Sequence, residues 1–241
     1  MLEAVIFDMD GVIVDTHPVH REAWRLFLLS LGRVVSDGEL DFVLDGRKRG
    51  EILRHFLGTL SDSEVHKYGE RKDEYFKKAS LEVNPLPGVL KFLRTLVKAG
   101  IATAVATSAS ESRTRHTLER LRLSDKISTV ITGDDVELGK PDPSVYILAC
   151  ERLDVSPRNA LAIEDAVSGI QAARGAGLNC IGVASHESAG KLRAVGAAYV
   201  VKDFRNLSLS RLQRCLPHSQ PGDASGGIVQ RPQTKSGICS A

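Results

Sequence analysis

The sequence predicts an α/β fold, a mainly parallel sheet core with an inserted helical cap. Three observations carry that prediction. Short apolar runs bounded by turn residues recur at 3–7, 101–107, 128–132, 160–163, 178–183 and 197–201. Helical patterns separate several of them, which is the rhythm of βαβ units. Residues 16–82 break the rhythm, with helical periodicity and no convincing strand.

The run at 3–7 is too short for a helix and is closed by Asp8-Met9-Asp10-Gly11, so it reads as a buried strand and turn. Helical patterns follow at 19–31, 49–57 and 61–78, and Asn84-Pro85-Leu86-Pro87-Gly88 marks the return to the sheet. Residues 88–99 carry Val89, Leu90, Phe92, Leu93 and Leu96 on one helical face. Asp142 and Pro143 read as the N-cap and first residue of a later helix. Another is expected over 165–174, ended by Gly175 and Gly177. From Pro217 onward Ser, Gly, Gln, Pro and Thr dominate, the composition of a disordered tail. The expected organisation is a core of residues 1–15 and 83–216, a helical cap of 16–82 and a tail of 217–241.

Composition works by exclusion. The chain of 241 residues is 42% hydrophobic and 26% charged, as soluble globular chains are. Lys plus Arg number 32 against 30 for Asp plus Glu, so there is no basic excess for nucleic acid or a membrane surface. No apolar run approaches the roughly 20 residues that span a bilayer. Residues 1–4 place no basic leader before the apolar stretch, so no signal peptide is expected. Cys150, Cys180, Cys215 and Cys239 are far apart and support neither a disulfide framework nor a zinc site. The expectation is a cytoplasmic monomer that binds neither nucleic acid nor membrane.

Ligands of open parallel sheets bind beyond the carboxyl ends of the strands. Those ends here carry Asp8 and Asp10, Thr107 and Ser108, Lys140 in a following loop, and Glu164 with Asp165. Singly, these read as a turn, a helix cap, a solvated lysine and another cap. Together they place four carboxylates at one edge, which repel unless compensated. A hard divalent cation with oxygen ligands relieves that repulsion, and Mg²⁺ commonly combines a few carboxylates with a substrate phosphate. Lys140, the Thr107 hydroxyl and the free N–H groups of a helix start suit the phosphate itself.

In that order, D-x-D-G at Asp8, Asp10 and Gly11, the strand-end Thr107, the Lys140-Pro141 pair and the Glu164-Asp165 pair resemble the four motifs of the haloacid dehalogenase superfamily. The resemblance covers about residues 3–215 and is to the branch of sugar-phosphate phosphatases and β-phosphoglucomutases. It implies a Rossmann-like core and phosphoryl transfer from a small phosphorylated metabolite. Asp8 would be the nucleophile and Asp10 the general acid and base, with Asp10 carrying a proton while Lys140 and Mg²⁺ hold Asp8 ionised. Asp8, the Asp10 backbone carbonyl, Glu164 and Asp165 would hold Mg²⁺, and Thr107, Ser108 and Lys140 would bind the phosphoryl oxygens. Dehalogenation and a catalytically silent binding protein are the lesser alternatives, since every expected catalytic position is filled by a residue suited to phosphate.

The resemblance extends to the cap. Thr16 falls at the hinge, His20 matches a histidine near the acid/base aspartate, and Trp24 is expected to pack beneath the cap. Gly46 and Arg49 match the substrate-reading loop of the mutases, where Asp45 replaces a lysine; Lys72 matches a cap lysine. The mutases grip a second phosphate through a Ser-Lys-Asn stretch after the strand-end hydroxyl. Ala109-Ser110-Glu111 stand there in this chain, lacking the cation and adding a carboxylate, which favours a phosphatase over a mutase.

Overall fold

Six strands form one sheet in the order β3-β2-β1-β4-β5-β6, with every neighbouring pair parallel. They are β1 (Ala4–Phe7), β2 (Ala102–Ala106), β3 (Thr129–Ile131), β4 (Ala160–Glu164), β5 (Asn179–Val183) and β6 (Ala197–Val201). Each lies within one residue, at either end, of an expected apolar run. The computed structural model describes residues 1–80, 83–184 and 188–216. The expected tail, and the end of the expected cap at residues 81 and 82, lie outside the described residues.

The alternation of side chains along the strands divides the sheet between two apolar layers. Val5, Phe7, Val105, Leu161 and Ile163 face a layer that includes Phe92, Leu93 and Leu96 of α4 (Val89–Lys98), Leu118 of α5 (Glu111–Arg120) and Leu212 of α9 (Leu209–Arg214). On the other face Ala4, Ile6, Ala104, Ala106, Ala160 and Ala162 meet α6 (Ser144–Leu153), α7 (Val167–Gly175) and α8 (Ala189–Ala194). The alanines leave room for those helices to approach closely.

Between β1 and α4 lie α1 (His17–Leu29), α2 (Arg49–Leu57) and α3 (Asp62–Ala79), with a 3-10 turn over Glu39–Leu44. They enclose a core of their own, built on Trp24, Phe27, Leu28, Leu40, Leu53 and Phe56. Trp24 is buried there, as expected. Ser61 starts α3 with a capping box closed by Glu64. The two chain crossings between cap and sheet run side by side, where Val14 bridges Pro85 and the Leu86 N–H donates to Ile13 O at 2.9 Å.

The helix starting near Asp142 differs from expectation by one residue: α6 begins at Ser144, with Pro143 at the cap position. The Asp142 carboxylate still accepts the Ser144 N–H at 2.9 Å, so its capping role survives the shift. The helix expected from Asp165 starts at Val167. The helix start expected after Thr107 and Ser108 is α5, beginning at Glu111; its course went unmarked, because Leu118 is its only large apolar residue. Among the described residues, no helix is long and apolar enough to cross a membrane.

Candidate active site

Strand β1 lies between β2 and β4, where the chain reverses its direction of travel across the sheet. Phe7 is in register with Val105 and Ile163, which brings Asp8, Thr107 and Glu164 to one edge. Lys140 lies beneath them, 1% exposed. Its Nζ donates to Asp8 Oδ1 and Glu164 Oε1 at 2.5 Å each, and to Ala106 O at 3.0 Å, which uses all three ammonium donors. Despite burial, the two carboxylates raise its pKa. Lys140 is therefore a fixed structural cation rather than a solvated side chain. Tyr146 donates its hydroxyl to the same Glu164 oxygen at 2.6 Å. The other Glu164 oxygen accepts the N–H groups of Asp165 and Ala166 at 3.1 and 3.4 Å.

One oxygen from each of Asp8, Glu164 and Asp165 lies within 4.8 Å of the others. Burial pushes Asp8 well above the usual carboxylate range, reinforced by Glu164 and Asp165 and opposed by Lys140. Burial also raises Asp165, opposed by His17, whose Nε2 is 2.8 Å from Asp165 Oδ2. That pairing outweighs burial at His17 and raises its pKa. The turn after β1 passes very close: at Gly11, with φ +77°, a Cβ would stand 2.0 Å from Asp165 Oδ2. Only glycine fits both that backbone conformation and that approach.

Asp10 faces the cap. Its Oδ1 accepts from Thr16 Oγ1 at 2.6 Å and from Arg113 Nη1 at 2.9 Å, and its Oδ2 accepts from Arg113 Nη2 at 2.7 Å. His20 Nε2 is 3.4 Å from Oδ1. Burial works to raise Asp10, but Arg113 and His20 hold it well below the usual carboxylate range. The expectation that Asp10 carries a proton is not met in this arrangement, because a guanidinium grips the ionised carboxylate from both sides. Burial, with Lys72 and Arg113 nearby, lowers His20 to about 4 against the pull of Asp10. The His20 Nδ1 is buried without a hydrogen-bond partner.

The cap loop is tied to the sheet domain. Ser108 Oγ donates to Gly46 O at 2.5 Å, Ser168 Oγ to Asp45 O, and Lys48 Nζ to Val136 O at 2.7 Å. Gly46 takes φ +67°, and a Cβ there would stand 3.1 Å from Ser168 Oγ. Arg49 donates to Asp73 Oδ2 at 2.6 Å. Lys72 is buried, with Nζ 5.3 Å from the Trp24 ring centroid, 5.0 Å from that of Phe76 and 3.7 Å from Asp73 Oδ1. Burial, then repulsion from Arg113, lowers it to about 8.

A cleft lies between cap and sheet. The expected residues Asp8, Asp10, His20, Gly46, Arg49 and Lys72 line it, as do Thr107, Ser108, Glu164 and Asp165. Lys140 reaches the group from below.

Four participants went unread in the sequence: His17, Asp73, Tyr146 and Arg113. For Arg113 a signal existed. Glu111 and Arg115 form an i,i+4 pair on the exposed side of α5, which puts Arg113, Thr114 and Thr117 on its buried face. Glu111 thus turns away from the cleft, and the cation thought missing after Thr107 arrives as Arg113. Residues 109–111 carry no cation themselves, as read; Arg113, two residues on, brings one to the cleft.

A family model described as haloacid dehalogenase-like hydrolase matches residues 2–177. The phosphorylated carbohydrates phosphatase of Thermotoga maritima is 36% identical over 205 residues, covering 83% of this chain and 94% of that protein. The β-phosphoglucomutase of Bacillus subtilis is 30% identical over 220 residues, covering 88% and 94%. A crystal structure of a β-phosphoglucomutase from Clostridium difficile superposes with a TM-score of 0.79 at 29% identity, covering 89% and 97%. With the motif residues gathered at one sheet edge under a helical cap, the chain belongs to the haloacid dehalogenase-like hydrolases.

Proposed function

We propose that the protein is a phosphatase that hydrolyses a small phosphorylated metabolite, a sugar phosphate, through an aspartyl-phosphate on Asp8. The observation that carries this reading is the contact of Lys140 with Asp8 and Glu164 at the β1–β4 edge. It gives a nucleophilic carboxylate a fixed cation where a phosphoryl group would arrive. Relatives named for phosphatases of phosphorylated carbohydrates and of fructose 1-phosphate support the sugar-phosphate class.

In the proposed reaction an Asp8 oxygen attacks phosphorus and the bond from phosphorus to the sugar oxygen breaks. Asp10, once it has left Arg113 and taken up a proton from solvent, gives that proton to the departing alkoxide. Water then attacks the phosphorus of the aspartyl-phosphate while Asp10 takes its proton, releasing inorganic phosphate and restoring Asp8. Thr107 and the N–H groups around Ser108 bind the phosphoryl oxygens, and Lys140, whose three donors are engaged at rest, would join them by giving up one of those partners. His20, beside Asp10, helps to orient it. Gly46 and Arg49 shape the sugar side of the cleft with Lys72.

The floor fits a hard divalent cation. Its donors are all oxygen, and burial and mutual repulsion raise Asp8 and Asp165. Asp8, Asp165, the Asp10 backbone carbonyl and Glu164 would hold Mg²⁺. Glu164 is the most committed of these, since both its oxygens already accept hydrogen bonds. When bound, the ion would neutralise the charge of the carboxylates and the phosphoryl group.

A β-phosphoglucomutase-type isomerase is the second reading, and Arg113 is the observation that favours it, since it restores a cation beside the expected second-phosphate stretch. Purified protein with Mg²⁺ and a panel of sugar phosphates decides the matter, with free phosphate and isomer formation assayed together. Phosphate release without isomerisation is expected. Isomer formation at comparable rates overturns the phosphatase, and neither product overturns both readings.

A further inference from the structure

The first turn of the cap reaches two carboxylates of the sheet domain. Thr16 donates to Asp10 and His20 lies beside it, whereas His17, at the start of α1, meets Asp165. His17 and His20 are three residues apart on one helical face, so a single turn serves both acids. The His17 Nε2 stands 2.8 Å from Asp165 Oδ2. An ionised carboxylate only accepts, so Nε2 carries the hydrogen. Oδ2 is closed in from a second side by the turn after β1. A Cβ on Gly11 would stand 2.0 Å from Oδ2 and 2.6 Å from His17 Nε2. The Asp165 side chain is only 7% exposed, while that of His17 is 36% exposed and lines the cleft.

We propose that His17 is a positioning residue that selects the ion: by occupying Oδ2 it limits Asp165 to one ligand oxygen, which suits Mg²⁺ and disfavours Ca²⁺. The inference rests on the reading above that Asp165 holds a divalent cation. Mg²⁺ demands near-ideal octahedral geometry, and a single, firmly aimed carboxylate oxygen meets that demand. Ca²⁺ takes about six to eight oxygens at longer distances and often uses both oxygens of one carboxylate. An Asp165 held on His17 denies it the second oxygen. The hydrogen bond also fixes the direction of the ligating carboxylate, and losing such an outer partner typically costs about 10- to 100-fold in metal affinity. Net charge cannot make this choice, because both ions are divalent. Coordination geometry can.

The test reads ion binding without turnover. The full chain is titrated with MgCl₂ and, separately, with CaCl₂ in phosphate-free buffer, and each midpoint is taken from the rise in Tm. His17→Leu removes the donor. It should weaken Mg²⁺ by about tenfold or more and leave Ca²⁺ unchanged or tighter, so that the ratio of the two midpoints shifts at least about tenfold toward Ca²⁺. His17→Gln offers Oδ2 a side-chain N–H from nearly the same place and should recover most of the original ratio. Because the ratio compares two ions on one protein, a change in basal Tm does not alter it. A histidine that merely supported the fold would move both ions alike.

An unchanged ratio in His17→Leu, including an equal weakening of both ions, overturns the role of His17. Asp165→Asn separates that failure from a failure of the cation site. If Asp165→Asn loses Mg²⁺ binding while His17→Leu leaves the ratio unchanged, the site stands without His17. If Asp165→Asn binds Mg²⁺ as the unaltered protein does, the site and the role of His17 fall together.

Discussion

The hydroxyl of Thr16 donates to Asp10 Oδ1 at 2.6 Å, although Thr16 occupies the N-cap of α1 and makes no side-chain cap bond there. The residue that opens the cap thus gives its hydrogen bond to the acid/base candidate of the sheet domain. Thr16→Val keeps the volume of this buried side chain and removes the donor. The expected cost is about 1 kcal/mol of transition-state positioning, or roughly fivefold in kcat/KM, with Tm nearly unchanged because no helix cap is lost. A fall in Tm of several degrees with unaltered kinetics would assign Thr16 to the fold alone.

Asp8→Asn should abolish turnover, since an amide cannot attack phosphorus, while its carbonyl oxygen can still accept from Lys140. Circular dichroism should be that of the unaltered protein. Substantial phosphate release by a clean Asp8→Asn preparation would exclude the covalent route.

Removing divalent cations with EDTA should stop turnover and Mg²⁺ should restore it, with Ca²⁺ supporting it poorly because of its larger, looser coordination shell. Mg²⁺ should also raise Tm by mass action, and Asp165→Asn should lose most of that rise. An unchanged rise in Asp165→Asn would place the ion elsewhere.

Lys72 tests the electrostatics of the cap. Its ordinary value of 10.5 falls to about 8 in the fold, so the unfolded chain binds the proton more tightly. Stability is therefore lost as pH falls from about 10.5 to about 8, and the whole cost is present below pH 8. Lys72→Met relieves it and forfeits the contacts with Trp24 and Phe76, for a net gain of about 2 kcal/mol at pH 7. Tm should rise by several degrees at pH 7 and by clearly less at pH 9.5, while activity on sugar phosphates falls. A Tm gain independent of pH would show that packing, not the buried charge, sets the cost.

Arg49 pairs with Asp73 on the cap side of the cleft. If it grips the sugar phosphate, Arg49→Ala should cost on the order of 2–3 kcal/mol, lowering kcat/KM by roughly 30- to 150-fold. Acetyl phosphate, which has no sugar, should suffer much less. Equal losses on both would make Arg49 a support of the cap through Asp73.

All six strands, most helices and the gathering of Asp8, Thr107, Lys140, Glu164 and Asp165 at one edge were legible in the sequence. Their signals are local: short apolar runs, turn residues and motif order, combined with the rule that parallel strands present their carboxyl ends together. Beyond its expected start, the course of helix α5 escaped because its periodicity is carried by Arg113, Thr114 and Thr117 rather than by large apolar residues. Only the tertiary structure decided which partner each charged group takes. Arg113 meets Asp10 across 103 residues, and Lys48 reaches Val136 across 88. A pairing at such separation leaves no periodicity in the chain. It is chosen by the packing that excludes water and makes an unpaired buried charge costly, which is why the proton expected on Asp10 gave way to the guanidinium of Arg113.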